Sequence, residues 1–347
     1  MNIVYAGAEV GVAPTYYRVT LPASYLESHG HVVRTDYFVR HSSEKGASTV
    51  RIPIGEYTDF AVLSTGRFWA DDFIESITPL REKGVKIHYD IDDLNWHISP
   101  SNPAYQIMQK AETSRQIKTI IKNVDLVTVT TSALANEVRK ANPRSLVVIP
   151  NYIEDLTKYV SPKEIDKTVT IGLTGGTSHL NDWRLVQILL SQLCAEYTNL
   201  RVIIGGFDHA YKTLFEPNLP SDRVEFFKWV PMPEYAKWLN KCDIILVPLG
   251  DTLFDKCKSH LKAIEAMCLG KCVIVSPHYS SVIEHQVNGY IAQKNRHINW
   301  LKACRSLIES QELREQMGLK ARKVVLDHWL IDKNGWRWEK SFQELSV

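Results

Sequence analysis

Short apolar runs alternate with helix-patterned stretches along the whole chain, and that alternation leaves few folds open. In the first half, strands are expected at Asn2 to Tyr5, His31 to Phe38, Phe60 to Ser64, Val85 to Tyr89, Leu126 to Thr130 and Leu146 to Ile149. Helical patterns at Tyr16 to Ser28, Asp71 to Lys83, Tyr105 to Lys122 and Ser132 to Ala141 separate several of them. Pro150-Asn151 ends this series, and the charged stretch Glu154 to Lys167 reads as a linker. A second series begins at Val169 and carries a helix at Asp182 to Glu196, then strands at Leu200 to Gly205, Val224 to Phe227 and Ile244 to Val247. Alternation of this kind predicts parallel sheets covered by helices on both faces. The expected class is therefore α/β, with two Rossmann-like, doubly wound parallel-sheet domains facing a cleft. Their expected bounds are residues 1–160 and 161–325, and residues 326–347 form a terminal helix returning to the first domain. In such sheets ligands sit beyond the carboxyl ends of the strands.

Composition narrows the class without naming a partner. With 347 residues, 44% hydrophobic and 23% charged, the chain has the makeup of an ordinary globular protein. The net charge of +2 comes from interspersed acids and bases, so it neither suggests nor excludes a polyanion. No charged leader precedes an apolar run at Met1, and no stretch has the length of a membrane span. The six cysteines all lie in the second half without metal-like spacing, which predicts reduced thiols and a cytoplasmic setting (a host's, for a viral chain). Trp300, Trp329, Trp336 and Trp338 are expected to be packing residues.

The most specific segment runs from Lys258 to Ser276. Leu261, Ile264, Ala266, Met267 and Leu269 have near-helical spacing, Gly270 is a natural stop, and Cys272 to Val275 is strand-like. A Lys258-Ser259 pair at the mouth of that helix can meet an anion, because first-turn amides and the macrodipole both favour negative charge. Glu265, about two turns on, could reach a sugar hydroxyl.

This segment, with Asp243-Ile-Ile-Leu-Val-Pro248 before it, the Val148-Ile-Pro-Asn151 junction and the glycine turn after the first strand of the second half, resembles the GT-B glycosyltransferases. It is most similar to the retaining, nucleotide-sugar-dependent group called glycosyltransferase family 4. The resemblance implies that the second half binds the nucleotide-sugar donor and the first half the acceptor. Gly175, Gly176 and Thr177 match the turn that approaches the donor phosphates, where glycines permit close contact; an ordinary strand-to-helix turn is the alternative. Lys258 and Ser259, with His260 beside them, match diphosphate-contacting positions. Glu265 matches the second acid of the paired-glutamate motif, which accepts hydrogen bonds from the ribose. Where the first acid should stand, this chain has Cys257, and the usual basic pair after the glycine turn is replaced by Ser178-His179-Leu180-Asn181-Asp182. His179 is expected in the donor site and Asp182 as a helix cap.

Asp90-Ile91-Asp92-Asp93 follows a strand and should face the cleft. Asp92 and Asp93 are candidates to orient an acceptor, and arginine pairing of this acidic cluster is the alternative. Arg18 is placed toward donor phosphates or acceptor, or on the surface. The resemblance implies hexosyl or pentosyl transfer with retention, no required cofactor or metal, and a nucleoside-diphosphate sugar, a UDP-sugar by family frequency. The acceptor class stays open among glycans, lipid-linked sugars, small molecules and hydroxylated bases in viral DNA, for which Arg40, Lys45, Arg51 and Arg67 could line a phosphate track. A sugar-nucleotide-binding protein without activity is the third reading, motivated by Cys257.

Overall fold

The computed structural model describes residues 1–9, 11–38, 57–66, 70–100, 102, 105–110, 112–163, 167–176, 179–206 and 209–345. The four arginines and lysines proposed for a DNA track lie outside them, as does Thr177.

The first sheet holds β1 (Asn2–Glu9), β2 (Val32–Phe38), β3 (Val62–Thr65), β4 (Lys86–Ile91), β5 (Leu126–Val129) and β6 (Leu146–Val148), in the order β2-β1-β3-β4-β5-β6. The second holds β7 (Val169–Gly175), β8 (Leu200–Gly206), β9 (Val224–Phe227), β10 (Ile244–Val247), β11 (Cys272–Val275) and β12 (Tyr290–Ile291), in the order β12-β11-β10-β7-β8-β9. Every pairing within both sheets is parallel. In the second sheet the order reverses between β7 and β10, which opens a crevice beyond their carboxyl ends.

Local chemistry shifts several boundaries. β1 runs past Gly7 because that glycine, at φ 79°, is skipped by the register, in which Ala6 pairs with Asp36 and Ala8 with Tyr37. The first helical region starts at Ala13, where Pro14 suits a first turn, and passes through a π-turn at Tyr16–Thr20 into the helix Leu21–Ser28. Pro22 has no N–H for the carbonyl of Arg18, and a widened turn relieves that mismatch. The expected helix from Tyr105 to Lys122 is two helices, Tyr105–Lys110 and Thr113–Asn123, because Glu112 sits in the left-handed region at φ 49°. The linker carries a helical turn, Leu156–Tyr159, pinned by the fully buried Leu156.

The helix Leu261–Cys268 buries every residue from Ala263 to Cys268. It ends at Gly270, whose φ of 67° lets the Lys271 N–H reach back to the Ala266 carbonyl. A Cβ at Gly318 would lie 2.1 Å from the Gly270 oxygen, so the helix Gln311–His328 docks here backbone to backbone.

The chain crosses between the sheets twice. Residues after β6 leave the first domain, and the segment around Trp329 returns beside them: Ile153 N–H bonds the Trp329 carbonyl at 3.0 Å and Ile331 N–H bonds Ile153 at 2.7 Å. The last helix, Trp336–Leu345, then packs on the first sheet, with Phe342 edge-on to Tyr5 and His88. Trp300 and Trp338 are buried as expected, whereas Trp336 is 44% exposed. No helix of the described residues is long and apolar enough to cross a membrane. All six cysteines are buried and unpaired.

Candidate functional site

A cavity of about 530 Å3 opens between the two sheets, lined on one side by Gly11 to Arg18, Thr20, Asp92 and Asp93 and on the other by Gly175, Gly176, His179, Lys258, Ser259, Lys262 and Glu265. The strand ends dictate this meeting. β7 delivers the glycine turn, β4 delivers Asp92 and Asp93, the buried helix Leu261–Cys268 delivers Lys262 and Glu265, and the turn before it delivers Lys258 and Ser259. Gly175 can carry no side chain, since a Cβ there would lie 2.8 Å from the His179 ring.

Lys258 caps the short helix Leu253–Cys257 in extended conformation and reaches the first domain, its Nζ 3.4 Å from Asp93 Oδ2 and 4.4 Å from the Phe254 ring centre. Ser259 Oγ accepts a hydrogen bond from Asn151 Nδ2 at 3.0 Å. Glu265 accepts hydrogen bonds from Tyr17 of the first domain and, at 3.1 Å, from Tyr235 of the second. Burial raises its carboxyl to about 7 against the pull of both phenols. Burial and the Glu265 charge hold both phenols well above their ordinary range, so they remain donors.

His179 is 7% exposed, and both ring nitrogens are engaged, Nδ1 with Asp182 Oδ2 at 2.7 Å and Nε2 with Lys262 Nζ at 2.5 Å. Burial, then the charges of Lys262 and Lys258, push it well below its usual range, so it is neutral. Asp182 is not the helix cap that its sequence position suggested. The helix begins at Leu180 with His179 at the cap position, and Asp182, already inside it, accepts from His179 and from the Gly250 N–H at 2.8 Å. Burial and the nearby Asp255 raise it to about 6.

Two other expectations are corrected. His260 does not line the cavity: at the cap position of the helix Leu261–Cys268, its ring lies edge-on to Tyr279 and Trp329 and its Nε2 meets Ser281 Oγ at 2.9 Å. Arg18 borders the cavity, but its guanidinium is consumed by the protein. It grips Asp90 through two nitrogens at 2.9 and 2.6 Å, donates to the Ile149 carbonyl at 2.6 Å and to Asn151 Oδ1 at 3.3 Å, and stacks 4.6 Å from Trp338. Asp90 thus takes the arginine-pairing alternative, while Asp92 and Asp93 reach the cavity. Cys257 is 1% exposed and packs into the apolar cluster of the first domain.

Sequence reasoning missed Lys262, Tyr17 and Tyr235. Lys262 had a signal, three residues before Glu265 and so on the same face of the expected helix; the two tyrosines had none, since they arrive from distant elements. Among the described residues no group of three or more His, Cys, Asp or Glu could hold a metal ion.

Two parallel-sheet domains facing one another across such a cavity define the GT-B fold. Solved structures agree over the full chain: sucrose-phosphate synthase from Thermosynechococcus elongatus (14% identity, 99% of both chains, TM-score 0.68), Anabaena HepE in complex with UDP and glucose (13%, 99% of both chains, TM-score 0.69) and a glycosyltransferase from Rickettsia africae (13%, 99% of this chain and 98% of that one, TM-score 0.69). At these identities the likeness is one of fold. The sequence profile of the family described as Glycosyl transferases group 1 matches residues 184–324, a stretch that includes Lys258, Ser259, Lys262 and Glu265 and begins after the glycine turn. No curated protein matches the sequence.

Proposed function

We propose that this protein transfers a hexose or pentose from a nucleoside-diphosphate sugar to a hydroxyl acceptor, with retention at the anomeric carbon, in the manner of glycosyltransferase family 4. The observation that carries this reading is the cavity, which sets Gly175, Gly176, Lys258, Ser259 and Glu265 across from Asp92 and Asp93. The second domain, residues 161–325, holds the donor. Its diphosphate lies against the glycine turn and Lys258, whose fixed charge and dipoles stabilise the leaving group. Glu265 keeps lone pairs beyond those the tyrosines use, and these accept ribose hydroxyls. The first domain, residues 1–160, holds the acceptor, with Asp92 and Asp93 orienting its hydroxyl and residues 326–347 bracing the domain. Arg18 acts through Asn151, which holds Ser259. A UDP-sugar is the donor class suggested by the complexes of the Anabaena neighbour with UDP and with UDP-glucose. Six buried, unpaired thiols support a cytoplasmic setting.

Thermal-shift titration with UDP-, GDP- and ADP-sugars tests the donor assignment, because a ligand at 100 times its Kd adds about 2.7 kcal/mol of stability. No shift with any of them removes the reading. A second reading, donor binding without transfer, is favoured by one observation: Cys257 lies in an apolar cluster where the family's first acid would face the sugar. Hydrolysis of bound donor in the absence of acceptor would eliminate it.

A further inference from the structure

Lys262 lines the cavity, and its amine meets a neutral partner. Nζ contacts His179 Nε2, and among the described residues no carboxylate oxygen lies within 4.0 Å of it. The tautomer of His179 follows from its partners: the Asp182 carboxylate accepts from Nδ1–H, which leaves Nε2 to accept from the lysine. Asp182 is itself fixed by the Gly250 N–H, so this contact is built from a rigid base rather than from a mobile surface chain.

A desolvated ammonium without a counter-ion is costly, and it lowers that cost by shedding its proton. Burial, and then the charge of Lys258, bring the Lys262 amine down to about 7. The groups facing it are His179 and Asp182 at the start of the helix Leu180–Glu196, Lys258 on the loop before its own helix, Glu265 one turn on, and Asp93 from the first domain. Lys258 and Lys262, four residues apart, both line the cavity, and a multiply charged anion placed there would meet both amines.

Resting on the donor reading above, we propose that Lys262 is a second diphosphate-binding residue, and that binding of a nucleoside diphosphate draws a proton from solvent onto its amine. The proton adds to the nitrogen lone pair and no bond breaks in the ligand. His179 keeps its tautomer and continues to accept, now from an ammonium. The site then carries its full positive charge only while the anion is present, and without it the fold avoids an unpaired ammonium beside the Lys258–Asp93 pair.

Calorimetric titration of the whole protein with UDP, GDP and ADP, at about pH 8 in buffers of different ionisation enthalpy, tests this. At that pH the terminal phosphate, whose last proton leaves near pH 6, is already ionised. Wild type is expected to take up between about half a proton and one proton per nucleotide. Lys262→Met should bind about tenfold to a hundredfold more weakly without that uptake, while its unliganded melting temperature holds or rises because a buried amine has gone. Lys262→Arg, always charged, should bind without uptake. Unchanged affinity in Lys262→Met overturns the proposal. So does undiminished uptake in Lys262→Arg, which would place the proton on Glu265 or Asp182. Should the arginine not fit, the methionine variant alone decides. If wild type binds none of the three nucleotides, the donor reading fails and this inference falls with it; if it binds them and the variants do not differ from it, only this inference falls.

Discussion

Arg18 and Lys262 are both withdrawn from solvent beside the same cavity, yet the protein treats them in opposite ways. Arg18 meets a carboxylate through two nitrogens, backbone and side-chain oxygens through the third, and the face of Trp338, so every guanidinium nitrogen has a partner inside the protein. Lys262 meets one neutral imidazole nitrogen. A saturated cation holds parts of the fold together, because removing it strands a buried carboxylate. An unsaturated cation is a binding element, because the fold alone does not complete it. Proximity to the cavity does not separate the two roles; the partner count does.

The comparison can be broken at several points. Arg18→Met leaves Asp90 buried and unpaired, and should remove about 3–5 kcal/mol of stability in urea unfolding; a variant of native stability would mean that Arg18 is held for a ligand after all. Lys258→Ala should slow turnover about a hundredfold or more with little change in the melt, and unchanged kinetics would remove Lys258 from the site. Cys257→Glu places an acid in the apolar cluster of the first domain, and should cost about 1–3 kcal/mol without raising turnover; a gain in activity would show that the chain turns that position toward the sugar. Glu265→Gln sharpens the electrostatic side. Burial raises this carboxyl from 4.5 to about 7, so its neutral form favours the folded state and that contribution is lost as pH rises through this window. The stability of the glutamine variant relative to wild type should therefore climb between about pH 4.5 and 7 and level off above. A flat difference would show that the tyrosines alone hold Glu265.

The doubly wound sheets were legible because strands and helices differ in hydrophobic period, a local property of the chain. Short boundaries were less so. β1, expected to end at Tyr5, runs on to Glu9 by absorbing Gly7 as a bulge, and Glu112 breaks a helical pattern by a backbone conformation that its side chain does not announce. At the cavity, Gly175, Lys258 and Glu265, singled out by spacing, do line its wall. Residues were missed or misread where the deciding partner is far along the chain. Arg18 meets Asp90 72 residues later and Tyr17 meets Glu265 248 residues later. His260 shows the opposite error, since a residue adjacent to two cavity-lining ones was carried along with them although the loop turns its ring away.

The paired crossing near Ile153 has a mechanical consequence. A single covalent tether would let the two domains swivel about any axis and twist freely. Here the outgoing strand and the returning strand lie side by side and are hydrogen-bonded, with Ile153 bonded to both Trp329 and Ile331. Two adjacent tethers permit bending about the line that joins them and oppose torsion across it, much as a door leaf turns on its pins.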